Sequence, residues 1–108
     1  MNVEVRPSAE KDLEGIKEKK TVERILNKLE EIEKMLEMGV GPATAVEKRL
    51  GGNWSPVIQQ RAGNYRMWFV EGSKTEKGQK DVLYLVRILS KEEQQKLMGV
   101  NINPKTFL

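Results

Sequence analysis

The chain has 108 residues, of which 38% are hydrophobic and 32% charged, with a net charge of +3. That is enough for one domain with a small core, and no apolar run approaches the roughly 20 residues that a membrane-spanning helix needs. Cysteine and histidine are both absent, which excludes disulfides, thiolate nucleophiles, Cys or His metal sites and His-based catalytic triads.

In chain order, "MNVEVR" alternates and reads as a short strand, with Val3 and Val5 on one face. The segment has no basic-then-apolar signal pattern, so a cytoplasmic protein is expected. Pro7 suits a helix entry and Ser8 an N-cap. Ala9, Leu13 and Ile16 then recur at helical spacing, giving a short amphipathic helix over 9–17. "KEKK" is a polar connection. From Thr21, the residues Val22, Ile25, Leu26, Leu29, Ile32, Met35 and Leu36 recur every three or four positions, so a longer helix follows. Gly39, with Pro42 beyond it, stops that helix in a left-handed cap. The two helices are expected to form an antiparallel hairpin packed on a sheet. A homodimer pairing through the Val22–Leu36 seam is the alternative.

"ATAVEKRLGGNWSP" is ambiguous, with a helical turn at 43–50 as one reading. A strand follows Pro56 as "VIQQR", with a tight turn at Ala62-Gly63. "NYRMWFVEG" is a longer strand and "SKTEKGQK" a mobile hairpin loop. "DVLYLVRIL" is apolar on both faces, as an interior strand should be. Ser90 caps a last short helix that Gly99 ends, and 99–108 reads as a flexible tail. The fold class is therefore α+β in a single domain over 1–108: an N-terminal strand, a helical hairpin, a three-stranded antiparallel meander and a short C-terminal helix. The helices cover one face of the sheet and leave the other at least partly open.

Charge is uneven along the chain. Residues 1–50 carry 10 Lys/Arg against 11 Asp/Glu, whereas residues 51–108 carry 9 against 5. The positive field thus belongs to the second half of the chain and suits a polyanion or an acidic protein partner. Alternation puts Tyr65, Met67 and Phe69 under the helices, and Arg66, Trp68 and Val70 on the open face. It also puts Leu83, Leu85, Arg87 and Leu89 on one face. Arg61, Arg66, Arg87 and Lys91 then converge as a phosphate cradle, with Trp68 beside them to stack a base. The alternative is a set of solvated strand ends with Arg87 bridging to Glu71 or Asp81. No phosphate-binding loop, metal cluster or cofactor motif is present.

"RPSAEKDLEGI", "KRLGG", "RAGNYRMWFV" and "DVLYLVRIL", in that order, resemble the RelE/ParE superfamily of type II toxins. The resemblance implies a cytoplasmic toxin that a cognate antitoxin neutralises. It also implies metal-free cleavage of mRNA on the ribosome, the mRNA interferase activity, with the alternative of a DNA gyrase inhibitor or a catalytically degenerate member that only binds its antitoxin. It puts Arg66 on the family's catalytic arginine, Arg61 on the basic position before the turn and Lys91 near the basic residue after the last strand. Arg87 assists these. Lys48, Arg49 and Trp68 are expected to contact RNA. The chain departs from the nuclease pattern in two places. Ser90 stands where many members carry His, and Leu97 lies near the place of a catalytic Tyr.

Overall fold

The computed structural model describes residues 1–74 and 80–99. Within them the chain forms β1 (Asn2–Val5), α1 (Pro7–Glu14), α2 (Lys19–Glu37), α3 (Pro42–Ala45), β2 (Lys48–Arg49), β3 (Val57–Ala62), β4 (Tyr65–Gly72), β5 (Val82–Ser90) and α4 (Lys91–Met98). The strands make one five-stranded sheet in the order β1-β5-β4-β3-β2. β1 runs parallel to β5, and every other pair is antiparallel. This is the expected α+β architecture with its meander, enlarged by the two-residue strand β2. Part of the expected 73–80 loop, and the tail from residue 100 on, lie outside the described residues.

α2 crosses one face and buries Ile25, Leu29, Ile32 and Leu36 against Ile58, Met67, Phe69, Leu83 and Leu85. The apolar seam that raised the homodimer alternative is thus covered by the chain's own sheet. Leu26 and Met35 remain outside it, at 45% and 37% exposure. Gly39 has the left-handed backbone expected of it, with φ 88°.

The opposite face is a correction. It is not open but carries a second apolar cluster of Leu50, Trp54, Val57, Trp68, Val70, Val86 and Leu89, with Leu97 of α4 packed on it. The ambiguous stretch supplies the cover. It makes a helical turn at Pro42–Ala45, the short strand β2 and a 3₁₀ turn at Gly52–Trp54 that drops Trp54 onto Trp68, their ring centroids 5.1 Å apart.

α1 also differs from expectation. It starts at Pro7, and Ser8 does not cap it. β1 pairs only as far as Val5–Leu85, so the rest of β5 would present a bare edge. α1 closes that edge. The Arg6 N–H donates to the Leu85 carbonyl (2.9 Å), the Ser8 hydroxyl donates to the Val86 carbonyl (2.6 Å), and the Ile88 N–H donates to the Asp12 carboxylate (2.8 Å). α1 therefore packs along β5.

One glycine is dictated by close approach. A Cβ on Gly72 would run into the Tyr84 ring, whose face also carries the Arg6 guanidinium at 5.3 Å. Gly72→Ala is expected to cost about 1–3 kcal/mol through overpacking. Urea unfolding measures it, and an unchanged midpoint would show that the ring can move aside.

Candidate functional site

The meander register decides which cations meet. The β3–β4 loop is Gly63-Asn64, closed by Ala62 opposite Tyr65, and not Ala62-Gly63. Gly63 has φ +63°, the conformation that a two-residue turn with glycine in its first position requires. The closure puts Arg61 and Arg66 directly opposite each other, with their side chains on one face. Like charges in that relation cost up to about 1 kcal/mol. Neither is neutralised closely. The Arg61 Nε is 3.9 Å from Glu47 Oε2, with the two side chains 62% and 44% exposed. Arg66 is half-buried and donates from Nη1 to the Asn64 carbonyl at 3.0 Å.

The rest of the expected cradle is dispersed. A β-bulge sets Trp68 opposite Arg87 but Phe69 opposite Leu85. Val86 is the extra residue, so Leu83 and Leu85 face the helices while Arg87 and Leu89 face Trp68. Arg87 does reach the face of Arg66, but Asp12 holds it in a bidentate pair, with Nε donating at 2.7 Å and Nη2 at 3.1 Å. Asp12, and neither Glu71 nor Asp81, is therefore the bridging carboxylate. Trp68 is fully buried, so it has no ring face open to a base, and its expected stacking role is corrected to a core role. Arg49 donates to Glu71 (3.0 Å) and to the Ser55 carbonyl (2.9 Å), which ties it to the fold. Lys48 is exposed, opposite Gln59. Lys91 is exposed at the start of α4, next to Ser90, which pairs with Tyr65 beyond the turn.

Three residues carry the site without having been singled out in the sequence. Gln59, 5% exposed, accepts at Oε1 from Trp68 Nε1 (3.0 Å) and from Gln94 Nε2 (2.7 Å), which pins α4 to the sheet. Asp12 fixes Arg87. Arg24 of α2 lies against the turn, with its Nη1 2.8 Å from where a Cβ on Gly63 would be. α4 buries no residue of its own. A groove of about 310 Å³ runs between it and β5, lined by Arg87, Leu89, Glu93, Lys96 and Leu97. Among the described residues no His, Cys, Asp and Glu cluster is suited to a metal, and no helix is long and apolar enough to cross a membrane.

The other end of the sheet is different in character. Glu4, Glu33 and Glu37 line a wider groove of about 490 Å³. Lys74 there is paired with Glu4, and the carboxylate's hydrogen bond and charge raise the ammonium above its ordinary pKa. That cation is tightly paired, whereas among the described residues Arg61 and Arg66 at the β3–β4 turn have no carboxylate nearer than 3.9 Å.

Comparison with known proteins agrees with this architecture. The chain is similar over 83% of its length, and over 96% of the other chain, to a chain of the RelBE2 toxin–antitoxin complex from Mycobacterium tuberculosis, with TM-score 0.60 and 13% identity. At that identity the likeness is one of fold. A comparison with curated proteins finds no match. Residues 3–95 match the family described as the ParE toxin of the type II toxin–antitoxin system parDE. The match spans most of the chain, which therefore belongs to the ParE toxin family of type II toxin–antitoxin systems.

Proposed function

We propose that this toxin acts by binding its target and not by cutting RNA, as a ParE-like inhibitor of DNA gyrase held in check in the cytoplasm by a cognate antitoxin protein. One observation carries the reading: the Arg61–Arg66 pair is equipped to grip an anionic surface but lacks a partner for proton transfer. Metal-free scission needs a base for the 2′-hydroxyl and an acid for the leaving oxygen. The chain has no histidine, and of its two tyrosines Tyr65 packs against the helix-side core while Tyr84 lies beneath Arg6. Glu47, the carboxylate beside Arg61, is engaged with Gln60, which donates to it at 3.4 Å. The antitoxin partner is supported by the family match and by the likeness to RelBE2, itself a toxin–antitoxin complex.

The second reading is ribosome-dependent mRNA cleavage. Arg66 would stabilise the scissile phosphate, aided by Arg61 and Lys91, which are exposed and not held by a close carboxylate as Arg87 is by Asp12. Two assays on the purified protein separate the readings. Inhibition of gyrase supercoiling is expected, with ribosome-bound mRNA left at full length in a translation extract. Shortened mRNA in that extract, lost on Arg66→Ala, would overturn the binding reading and establish the nuclease.

A further inference from the structure

We infer that the end of the molecule around the β3–β4 turn binds the phosphate backbone of double-stranded nucleic acid. The feature that carries this is a ridge of cations drawn from separate elements. Arg24 of α2 lies against Gly63 on the helix side of the sheet. Lys20 precedes it by one helical turn on the same side of α2. Arg61 and Arg66 stand together on the opposite face, and Lys91 follows the strand end that pairs with Tyr65. Among the described residues Lys20, Arg24, Arg66 and Lys91 make no ion pair, and Arg61 meets Glu47 only at 3.9 Å. Five other cations, Lys28, Lys34, Arg49, Lys74 and Arg87, each lie within 3.4 Å of a carboxylate. Among the described residues Lys11, Lys17, Lys19, Lys48 and Lys96 are also unpaired, but they are lysines without a guanidinium fork. Glu23 and Glu92 lie near the ridge in sequence and are exposed, but neither pairs with it.

The shape selects the partner. Guanidinium forks suit phosphate oxygens, and here they flank a turn on both of its faces. A duplex offers phosphates along two strands and can meet both sides of such a ridge, whereas an extended acidic peptide offers one line of charge. Single-stranded nucleic acid is disfavoured because both aromatics nearest the turn are packed: Trp68 is closed within the second core, and Tyr65 is half-buried against the helix-side core. In this contact the guanidinium and ammonium groups meet phosphate oxygens and read no base edge, so it is with the backbone alone. It is therefore independent of sequence and steeply dependent on salt. This inference does not rest on gyrase being the target.

The test is fluorescence anisotropy of the full chain with short labelled DNA and RNA duplexes, the same DNA single-stranded, and polyglutamate, from about 50 to 200 mM salt. Binding to either duplex is expected, with single strands and polyglutamate weaker. Arg24→Ala, Arg61→Ala and Arg66→Ala should each weaken binding by about three- to tenfold and lower the salt slope by about 1. Arg24→Lys should keep the slope, and Lys34→Ala, far along α2, should match the wild type. The assignment is overturned by an absence of binding at 50 mM salt, by equal binding to polyglutamate or single strands, or by a loss with Lys34→Ala as large as that with Arg24→Ala. Absence of duplex binding by the wild type alongside intact gyrase inhibition would sink this inference and leave the binding-toxin reading standing.

Discussion

Trp68→Ala is expected to lower stability by about 3–5 kcal/mol, the range for truncating a large buried aromatic. The ring has 0% exposure and packs at 5.1 Å from Trp54 in the cluster that closes the second face of the sheet. Its loss leaves a cavity that Val70, Val86 and Leu89 line from a fixed sheet, so little collapse can relieve it. It also takes the Nε1 donor from Gln59, whose remaining partner is Gln94 on α4. In a small domain with about 5–15 kcal/mol in total, the loss is a large share and should lower Tm by roughly 15–25 °C. Trp68→Phe keeps most of the ring and should cost about half as much. Urea unfolding followed by far-UV circular dichroism avoids dependence on the deleted fluorophore. A Trp68→Ala midpoint within about 1 kcal/mol of wild type would mean the ring is not a core element, and the base-stacking role would regain its footing.

That contrast shows where the sequence is readable. Periodicity placed α2, β4 and β5, because each presents an apolar stripe long enough to outweigh its neighbours. The same alternation put Trp68 and Arg66 on one face, which holds. It left that face open, because the cover comes from Leu50, Trp54 and Leu97, isolated apolar residues in a glycine-rich loop and a polar helix. Such residues have no period to detect. The Val86 bulge was likewise invisible, and it moves Arg87 off the face of Leu83 and Leu85. Of the site, the face of Arg66 follows from the alternation of β4, but its pairing with Arg61 does not, because the expected Ala62-Gly63 turn would have set Arg61 opposite Asn64. Arg24 was not legible, since contact between a helix and a turn 39 positions away leaves no local trace. Ser90 and Glu93 form the capping box that a Ser with Glu three positions on predicts, whereas Ser8, an equally good candidate cap, bonds to Val86 instead.

Asp12→Ala is expected to be nearly as damaging, by about 2–4 kcal/mol, though Asp12 lies on a short helix and touches no ligand. One carboxylate accepts from Arg87 twice and from the Ile88 N–H once, beyond the point where β1 stops pairing with β5. Removing it takes a charge partner from a guanidinium whose side chain is 22% exposed and leaves a strand N–H without its acceptor. Breaking a fully buried pair costs about 3–5 kcal/mol, and the partial exposure of this one brings the figure down. Asp12→Asn keeps an oxygen for Ile88 and should lose roughly half as much. Because Asp12 and Arg87 act together, the double variant Asp12→Ala/Arg87→Ala should cost clearly less than the sum of the two single changes. Additive losses would show that Arg87 is held by other contacts, and a neutral Asp12→Ala would show that α1 does not hold the end of β5. If the coupling is found, Arg87 is a fastening of α1 to the sheet, and the meeting with an anionic partner falls to Arg61 and Arg66 at the β3–β4 turn and Lys91 at the start of α4.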